Sequence, residues 1–314
     1  FTKMDKKVIE HRIESLLYQR GYESSIEIAA VSENTSKSDT LYILKGYKVR
    51  ELQECINYED YIDIVETNLS NVGDKMSTGI MYDAFNSAIG AGLSPLLCGF
   101  GARQLALTLT AARYGEKSEI ISIPVGFSSI NELVSAISDA QTDSVIVEDA
   151  FGTMNENILL PILRNDNGKV VVFTAESKEE LRYLQKHFYN YIQLIVSTKR
   201  INVRKYNLMY SDADKLFKER IYTCKEPGHK MARKILEHIG MGNPYVVTRG
   251  NVLCELLEEK KNNSEDDALY NLVETELKWI IDENQHEKLV GLLQDNENRY
   301  SKKLIECVVR QNEG

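Results

Sequence analysis

Between about residues 76 and 200, short apolar runs alternate with stretches whose apolar residues recur at helical spacing. The runs lack polar alternation, which is typical of strands buried on both faces of a sheet. The predicted strands are "PLLCGF", "EIISIPVG", "SVIVEDAF", "KVVVFTAES" and "YIQLIVST". The predicted helices between them are "ARQLALTLTAARYG", "SSINELVSAISDA", "NENILLPILR" and "SKEELRYLQKHFY". The pattern predicts an α/β domain with a doubly wound, parallel five-stranded sheet and helices on both sides.

The regions on either side of this alternation have different patterns. Residues 1–75 combine helical stretches, one of them in "RELQECINYEDYIDIVETNL", with two short strands, "SIEIAAV" and "TLYILKGY". They predict a small mixed α/β N-terminal domain. A further helix, "IMYDAFNSAIGAG", leads into the first strand of the sheet. Residues 201–314 predict an all-helical C-terminal region. We therefore expect three domains: 1–75, 76–200 and 201–314.

Composition narrows the classes of partner. The 38 basic and 47 acidic residues give a formal net charge of −9, which does not indicate a surface coated by nucleic acid. No apolar run reaches the roughly 18 residues that span a bilayer, so no membrane partner is predicted. The five cysteines are scattered without a CxxC spacing, which favours reduced thiols in the cytoplasm over disulfides or a metal site. Because the chain starts at Phe1 rather than Met, we expect a trimmed start or a piece of a longer protein.

Residues that carry chemistry stand at the ends of three predicted strands. A glycine-containing turn follows the first strand, Glu148 and Asp149 end the third, and Thr174 ends the fourth. Backbone N–H groups at a helix N-terminus bind phosphate, an acidic strand end supports Mg²⁺ and activates water, and a polar tip orients the γ-phosphate. Glu148, Asp149 and Thr174 are therefore the candidate catalytic residues. The candidate phosphate-binding residues are Gly99, Phe100, Gly101, Ala102, Arg103 and Gln104.

With these motifs in this order, the segment from about Ile80 to Thr198 resembles the AAA+ branch of the P-loop NTPases. The resemblance rests on the layout of strands and helices, and it does not reach residues 1–75. It implies ATP with Mg²⁺ as the cofactor, a helical lid formed by the C-terminal region, and other protein subunits as partners, as in a ring-type assembly.

The phosphate loop departs from the family's GxxxxGK[ST] pattern. When Arg103 is placed on the lysine, Ala102 falls on the second glycine and Gln104 on the Ser/Thr. Leu97 then takes the place of the first glycine, so the turn is about two residues shorter than the pattern. Arginine is longer and fork-shaped, so it does not replace a P-loop lysine geometrically. The departures predict a degenerate phosphate loop.

We therefore expect a degenerate AAA+-like subunit that serves as an assembly or scaffold component of a multi-protein machine, which can be nucleic-acid-directed. It is expected to bind either no cofactor or Mg-ATP, and to hydrolyse ATP weakly or not at all. Four alternatives stay open: an active or switch-type ATPase with an atypical loop, a nucleic-acid-binding adaptor that uses the basic segment "KEPGHKMARK", a tight turn that binds no ligand, and another doubly wound enzyme. A dinucleotide fingerprint is not favoured, because Leu105 stands where the third glycine belongs.

Overall fold

The computed structural model describes residues 40–72, 79–152, 154–164, 168–182, 184–197 and 207–218, together with the isolated positions 237 and 291. The strands are β1 (Tyr42–Leu44), β2 (Tyr47–Lys48), β3 (Ser94–Cys98), β4 (Glu116–Lys117), β5 (Glu119–Ser122), β6 (Ser144–Glu148), β7 (Val170–Ala175) and β8 (Ile192–Val196). The α-helices are α1 (Tyr58–Asn71), α2 (Gly79–Gly90), α3 (Ala102–Tyr114), α4 (Ile130–Ser138), α5 (Leu160–Arg164) and α6 (Lys215–Lys218). Short 3-10 helices lie at Glu156–Leu159, Lys178–Leu181 and Lys186–Asn190.

The described residues form a six-stranded sheet in the order β1-β5-β6-β7-β3-β8. The five strands that the sequence predicts are parallel, whereas β1 pairs with β5 in the antiparallel direction. A separate two-stranded ribbon joins β2 to β4. The prediction of an α/β fold with a largely parallel sheet is confirmed, and the sheet is one strand wider than predicted because β1 adds an edge.

Helices cover both faces of the sheet, so successive apolar residues of each central strand are buried. Leu96 of β3 packs in one core with α4, α5 and the 3-10 helices. Its neighbour Leu97 packs in a second core with α1, α2 and α3. Burial on both faces is what an uninterrupted apolar strand indicates.

The chain reverses its direction across the sheet at β3, because β3 and its neighbour β7 send their connections to opposite sides. From β3 the chain passes over α3 to β5, near the far edge, and then returns through β6 and β7. Numbered along the chain, the five parallel strands lie in the order 2-3-4-1-5, unlike the 3-2-1-4-5-6 order of the dinucleotide-binding fold and the 2-1-3-4-5 order of flavodoxin-like folds. In open α/β sheets, ligands bind beyond the carboxyl ends of strands at such a reversal, so the carboxyl end of β3 is the place to examine.

Several helix boundaries follow from local chemistry that the sequence makes visible. α2 and α3 are followed closely by Gly92 and Gly115, which have φ values of 71° and 62° that suit glycine. α1 begins later than predicted, because Asn57 caps it. The Asn57 side chain accepts a hydrogen bond from the Asp60 amide, and the Asp60 carboxylate accepts one from the Asn57 amide.

Two predicted helices are interrupted in the structure. In "NENILLPILR", a 3-10 turn precedes α5, whose first turn contains Pro161, a residue without an N–H to continue a helix. In "SKEELRYLQKHFY", two 3-10 helices are separated by extended backbone at Gln185. Leu181 and Phe188 nevertheless both reach the same core, so helical spacing identified the buried residues but not the backbone path.

Residues 40–72, which belong to the predicted N-terminal domain, lie against the central sheet. β1 extends the sheet, and α1 packs in the same core as α3. The other predicted strand of this region, "SIEIAAV", lies outside the described residues. The boundary near residue 75 stays a prediction.

Residues 207–218, which we call the anchor segment, pack against α1 and the carboxyl end of α3. The Ser211 amide donates to the Ala111 carbonyl at 3.2 Å, and the Asp214 amide donates to the Arg113 carbonyl at 2.9 Å. The Asn68 side chain exchanges two hydrogen bonds with the backbone of Met209. The predicted C-terminal helical region is described only here and at two single positions, so its lid-like role stays a prediction.

The anchor segment is held by a buried polar cluster. The Arg113 guanidinium donates to the Asp214 carboxylate and to the Asn86 side-chain carbonyl, each at 3.0 Å. The Asn86 amide donates in turn to the Tyr61 hydroxyl at 2.8 Å. The guanidinium also lies 4.5 Å from the centre of the Phe217 ring. A buried charge needs such partners, and together they join α1, α2, α3 and the anchor segment.

Candidate functional site

The predicted site residues all lie along the carboxyl edge of the sheet. The glycine turn, residues 99–101, joins β3 to α3. Glu148 is the last residue of β6, and Thr174 lies in β7 directly beside Leu97 of β3. The parallel sheet therefore brings the turn, the acidic strand end and the polar strand end to one edge.

Glycine is required in the turn for geometric reasons. Gly99 and Gly101 have φ values of 133° and 84°, which side chains rarely adopt. A Cβ on Gly99 would lie 2.4 Å from the Ser197 carbonyl oxygen, because the chain leaving β8 passes directly beside the turn. The Gly99 amide donates to the Ala175 carbonyl at 2.9 Å, so β3, β7 and β8 jointly hold the turn.

The basic residue that follows the turn, Arg103, pairs with a residue of the same chain. Arg103 forms a bidentate ion pair with Glu148, in which Nε donates to Oε1 and Nη2 donates to Oε2. The two side chains are only 10% and 6% exposed. The Ser122 hydroxyl, at the end of β5, donates to Glu148 Oε2 at 3.0 Å. Paired forks of this kind are among the strongest hydrogen-bonded arrangements in proteins.

A second carboxylate lies against the turn. The backbone amide of Gly101 is 3.4 Å from Oε2 of Glu176, a long contact at the limit of a hydrogen bond. Glu176 follows directly after β7 and is exposed. The amide that would face a phosphate in a phosphate loop therefore faces a carboxylate of the same chain.

The remaining predicted residues have varied environments. Ala102, Gln104 and Thr174 are buried, whereas Phe100 is 44% exposed. Asp149 is exposed and has a φ of 58°, a left-handed conformation that aspartate tolerates better than most residues.

The sequence did not point to Glu176, near the end of a predicted strand, or to Ser122, within another. Glu176 comes two residues after Thr174, and Ser122 lies in the middle of the second predicted strand. Polarity at the carboxyl end of a strand, the signal that selected Glu148, could have found Glu176. It could not have found Ser122, because the predicted strand continues past the residue at which β5 ends.

These residues do not fit Mg-nucleotide binding in the P-loop manner. Arg103 and Glu148 neutralise each other, and Gln104, in the Ser/Thr position, is buried and lacks the hydroxyl that holds Mg²⁺ in that loop. Within the described ranges, no group of three or more His, Cys, Asp or Glu side chains is placed to hold a metal ion. The functional roles assigned to these residues from the sequence stay predictions.

Cys98 ends β3 and leads into the turn, but its environment disfavours a reactive thiol. Cys98 is 1% exposed, and burial raises the pKa of its thiol to about 12. Because the thiolate is the nucleophilic form, a thiol that stays protonated at neutral pH is inert. Cys98 therefore acts as a packing residue behind the turn.

Alkaline pH is expected to destabilise the protein through Cys98. The folded thiol keeps its proton up to about pH 12, whereas the unfolded thiol ionises near its ordinary value of 9.0. The contribution of Cys98 is therefore complete below pH 9 and is lost as the pH rises toward 12. From pH 8 to pH 10.5 the loss is about 2 kcal/mol. Urea unfolding of wild type and Cys98→Ala at both pH values measures it. The same pH dependence in both proteins would contradict the prediction.

Comparison with known proteins adds no family. No protein-family model matches the chain, and no curated protein matches it. Among the residues that the structure describes, no helix is both long enough and apolar enough to cross a membrane. The functional argument therefore rests on the geometry of the carboxyl edge.

Proposed function

We propose that the chain is a degenerate AAA+-like subunit that acts by assembling with other proteins and hydrolyses ATP weakly or not at all. The observation that carries the proposal is the buried ion pair between Arg103 and Glu148. In a working phosphate loop, the basic residue must bind phosphate and the acid must serve the metal and water. Here each neutralises the other, so neither is available for that chemistry.

The arrangement of strands supports the AAA+ part of the proposal. In the site that the resemblance implies, the polar-tipped strand lies next to the strand that carries the glycine turn. β7, which carries Thr174, takes that place between β3 and β6. The reversal of the chain at β3 puts the turn where open α/β sheets bind ligands. On this proposal, the layout is kept while the groups that bind phosphate have changed.

Assembly is the function that such a layout retains. The proposal places the chain in a multi-protein machine of the cytoplasm, including one directed at nucleic acid, with a ring-type arrangement of subunits and a helical C-terminal region. The basic segment "KEPGHKMARK", which would support a nucleic-acid adaptor, lies outside the described residues.

The catalytic part is tested by phosphate release from Mg-ATP. Wild type is expected to release phosphate no faster than Arg103→Ala or Glu148→Gln, because the pair already disables both groups. Glu179→Gln is the matched control, since Glu179 is an exposed carboxylate on the same edge of the sheet. Turnover by wild type that Glu148→Gln abolishes and Glu179→Gln retains would overturn the proposal.

The assembly part is tested by isolating the chain from its own cells at natural abundance. Native mass spectrometry is expected to find it in a stoichiometric complex with other subunits. Recovery as a single chain under the same mild conditions would contradict an assembly role.

A further inference from the structure

Two carboxylates interact with the hydrogen-bond donors at the glycine turn to which a phosphate would bind. Glu148 pairs with the Arg103 guanidinium, and Oε2 of Glu176 lies 3.4 Å from the Gly101 amide nitrogen. Glu148 ends β6 and Glu176 follows β7, and both strands lie on the same side of β3 in the sheet. The basic side chain and the backbone amide of the turn thus both meet an internal anion.

The geometry of Glu148 imitates an oxyanion ligand. Its two oxygens accept hydrogen bonds from Nε and Nη2 of Arg103, and Oε2 also accepts one from the Ser122 hydroxyl. An arginine fork binds a carboxylate and a phosphate through the same pair of parallel N–H donors. Because the pair is almost fully buried, an incoming anion would have to replace Glu148 rather than bind beside it.

The charge around the turn also opposes an anion. Asp149 follows Glu148 directly and is exposed, like Glu176. Burial raises the pKa of Glu180, and the nearby carboxylates of Asp149 and Glu176 raise it further. A phosphate that approaches this edge therefore meets negative charge from several side chains.

We propose that the glycine turn is a self-liganded phosphate site, in which Glu148 and Glu176 hold the donors that a phosphate group would bind. An inorganic or nucleotide phosphate gains access when both side chains are replaced by neutral ones. The inference rests on the proposed function for the premise that the turn stands in the position of a phosphate loop.

The test is pyrophosphate binding by isothermal titration to wild type, Glu148→Gln, Glu176→Gln and the double variant. A glutamine at position 148 keeps the shape of the side chain and one acceptor oxygen, but its NH₂ group opposes the second donor of Arg103 and so weakens the hold on the guanidinium. The double variant is expected to bind at least about ten-fold more tightly than wild type, a difference of about 1.4 kcal/mol. Glu179→Gln, the control on the same edge, is expected to match wild type. Equal affinity of the double variant and the control would overturn the proposal.

Loss of folding in Glu148→Gln would not remove the test. That variant removes the negative charge of Glu148 from the buried Arg103 guanidinium, so its melting temperature is expected to fall and to recover on addition of pyrophosphate. Glu176 is exposed, and Glu176→Gln is expected to fold as wild type does. An affinity of Glu176→Gln about three-fold above wild type supports the proposal, and an affinity no higher than that of Glu179→Gln overturns it.

The result separates this inference from the proposed function. Self-liganding predicts a ratio of affinities between variants and wild type, whereas the proposed function predicts the absolute turnover of wild type. Turnover by wild type with tighter pyrophosphate binding by the variants would remove the proposed function and keep the self-liganded site. No turnover by wild type and no gain in pyrophosphate binding by the variants would keep the proposed function and overturn the self-liganded site.

Discussion

Replacing Asp214 with alanine is expected to lower the free energy of unfolding by about 3–5 kcal/mol, because it leaves the buried guanidinium of Arg113 without its counter-charge. The two side chains are 8% and 4% exposed. Asn86 still accepts one hydrogen bond from Arg113, but a neutral amide does not compensate the charge. Urea-induced unfolding followed by circular dichroism measures the loss.

Asp212→Ala is the matched control for this variant. Asp212 lies two residues earlier in the anchor segment and is exposed. Its removal is expected to change the free energy of unfolding by less than about 0.5 kcal/mol, as for most surface substitutions. If Asp214→Ala costs no more than Asp212→Ala, the anchor segment does not depend on the ion pair.

Gly99→Ala is the second substitution with a large expected effect, a loss of about 3 kcal/mol or more. Backbone strain at a φ of 133° accounts for about 1–3 kcal/mol of this. The rest comes from the added methyl group, which would lie 2.4 Å from the Ser197 carbonyl oxygen and must displace the end of β8. Urea unfolding of the variant and wild type gives the difference.

Gly126→Ala separates the two contributions to that loss. Gly126 also has a positive φ, 79°, but a Cβ built there meets no atom within 4 Å. Only conformational strain is expected at this position, about 1–2 kcal/mol. Equal losses for Gly99→Ala and Gly126→Ala would mean that the close approach of Ser197 contributes nothing to the requirement for glycine.

The architecture was predictable because the strong signals are local. Uninterrupted apolar runs mark strands buried on both faces, and β3, β5, β6, β7 and β8 all form where such runs occur. The parallel arrangement then gathers polar strand ends at one edge without further information. For this reason Glu148 and Thr174, which the sequence places at strand ends, lie at the same edge of the sheet as the turn.

The pairing within the site was not predictable, because it depends on distances between separate elements. Arg103 and Glu148 are 45 residues apart, and no spacing rule links them. A basic residue at the start of a helix after a glycine turn indicates an anion, and the sequence offered phosphate as that anion. The structure supplies an internal carboxylate instead. The edge strand β1 was missed as a member of the sheet for a similar reason, since its partner β5 is far away in sequence.

The ion pair between Arg103 and Glu148 also restricts how the sequence can change over evolutionary time. Loss of the charge at either position removes the opposite charge that pairs with the remaining buried residue, at a cost of about 3–5 kcal/mol. That is a large part of the 5–15 kcal/mol that stabilises a typical domain. Substitutions that remove the charge at one of the two positions are therefore expected to occur together with a change at the other. A change that conserves the charge, such as Arg103→Lys, leaves the lysine ammonium paired with Glu148, so it would not by itself free a cation for another anion.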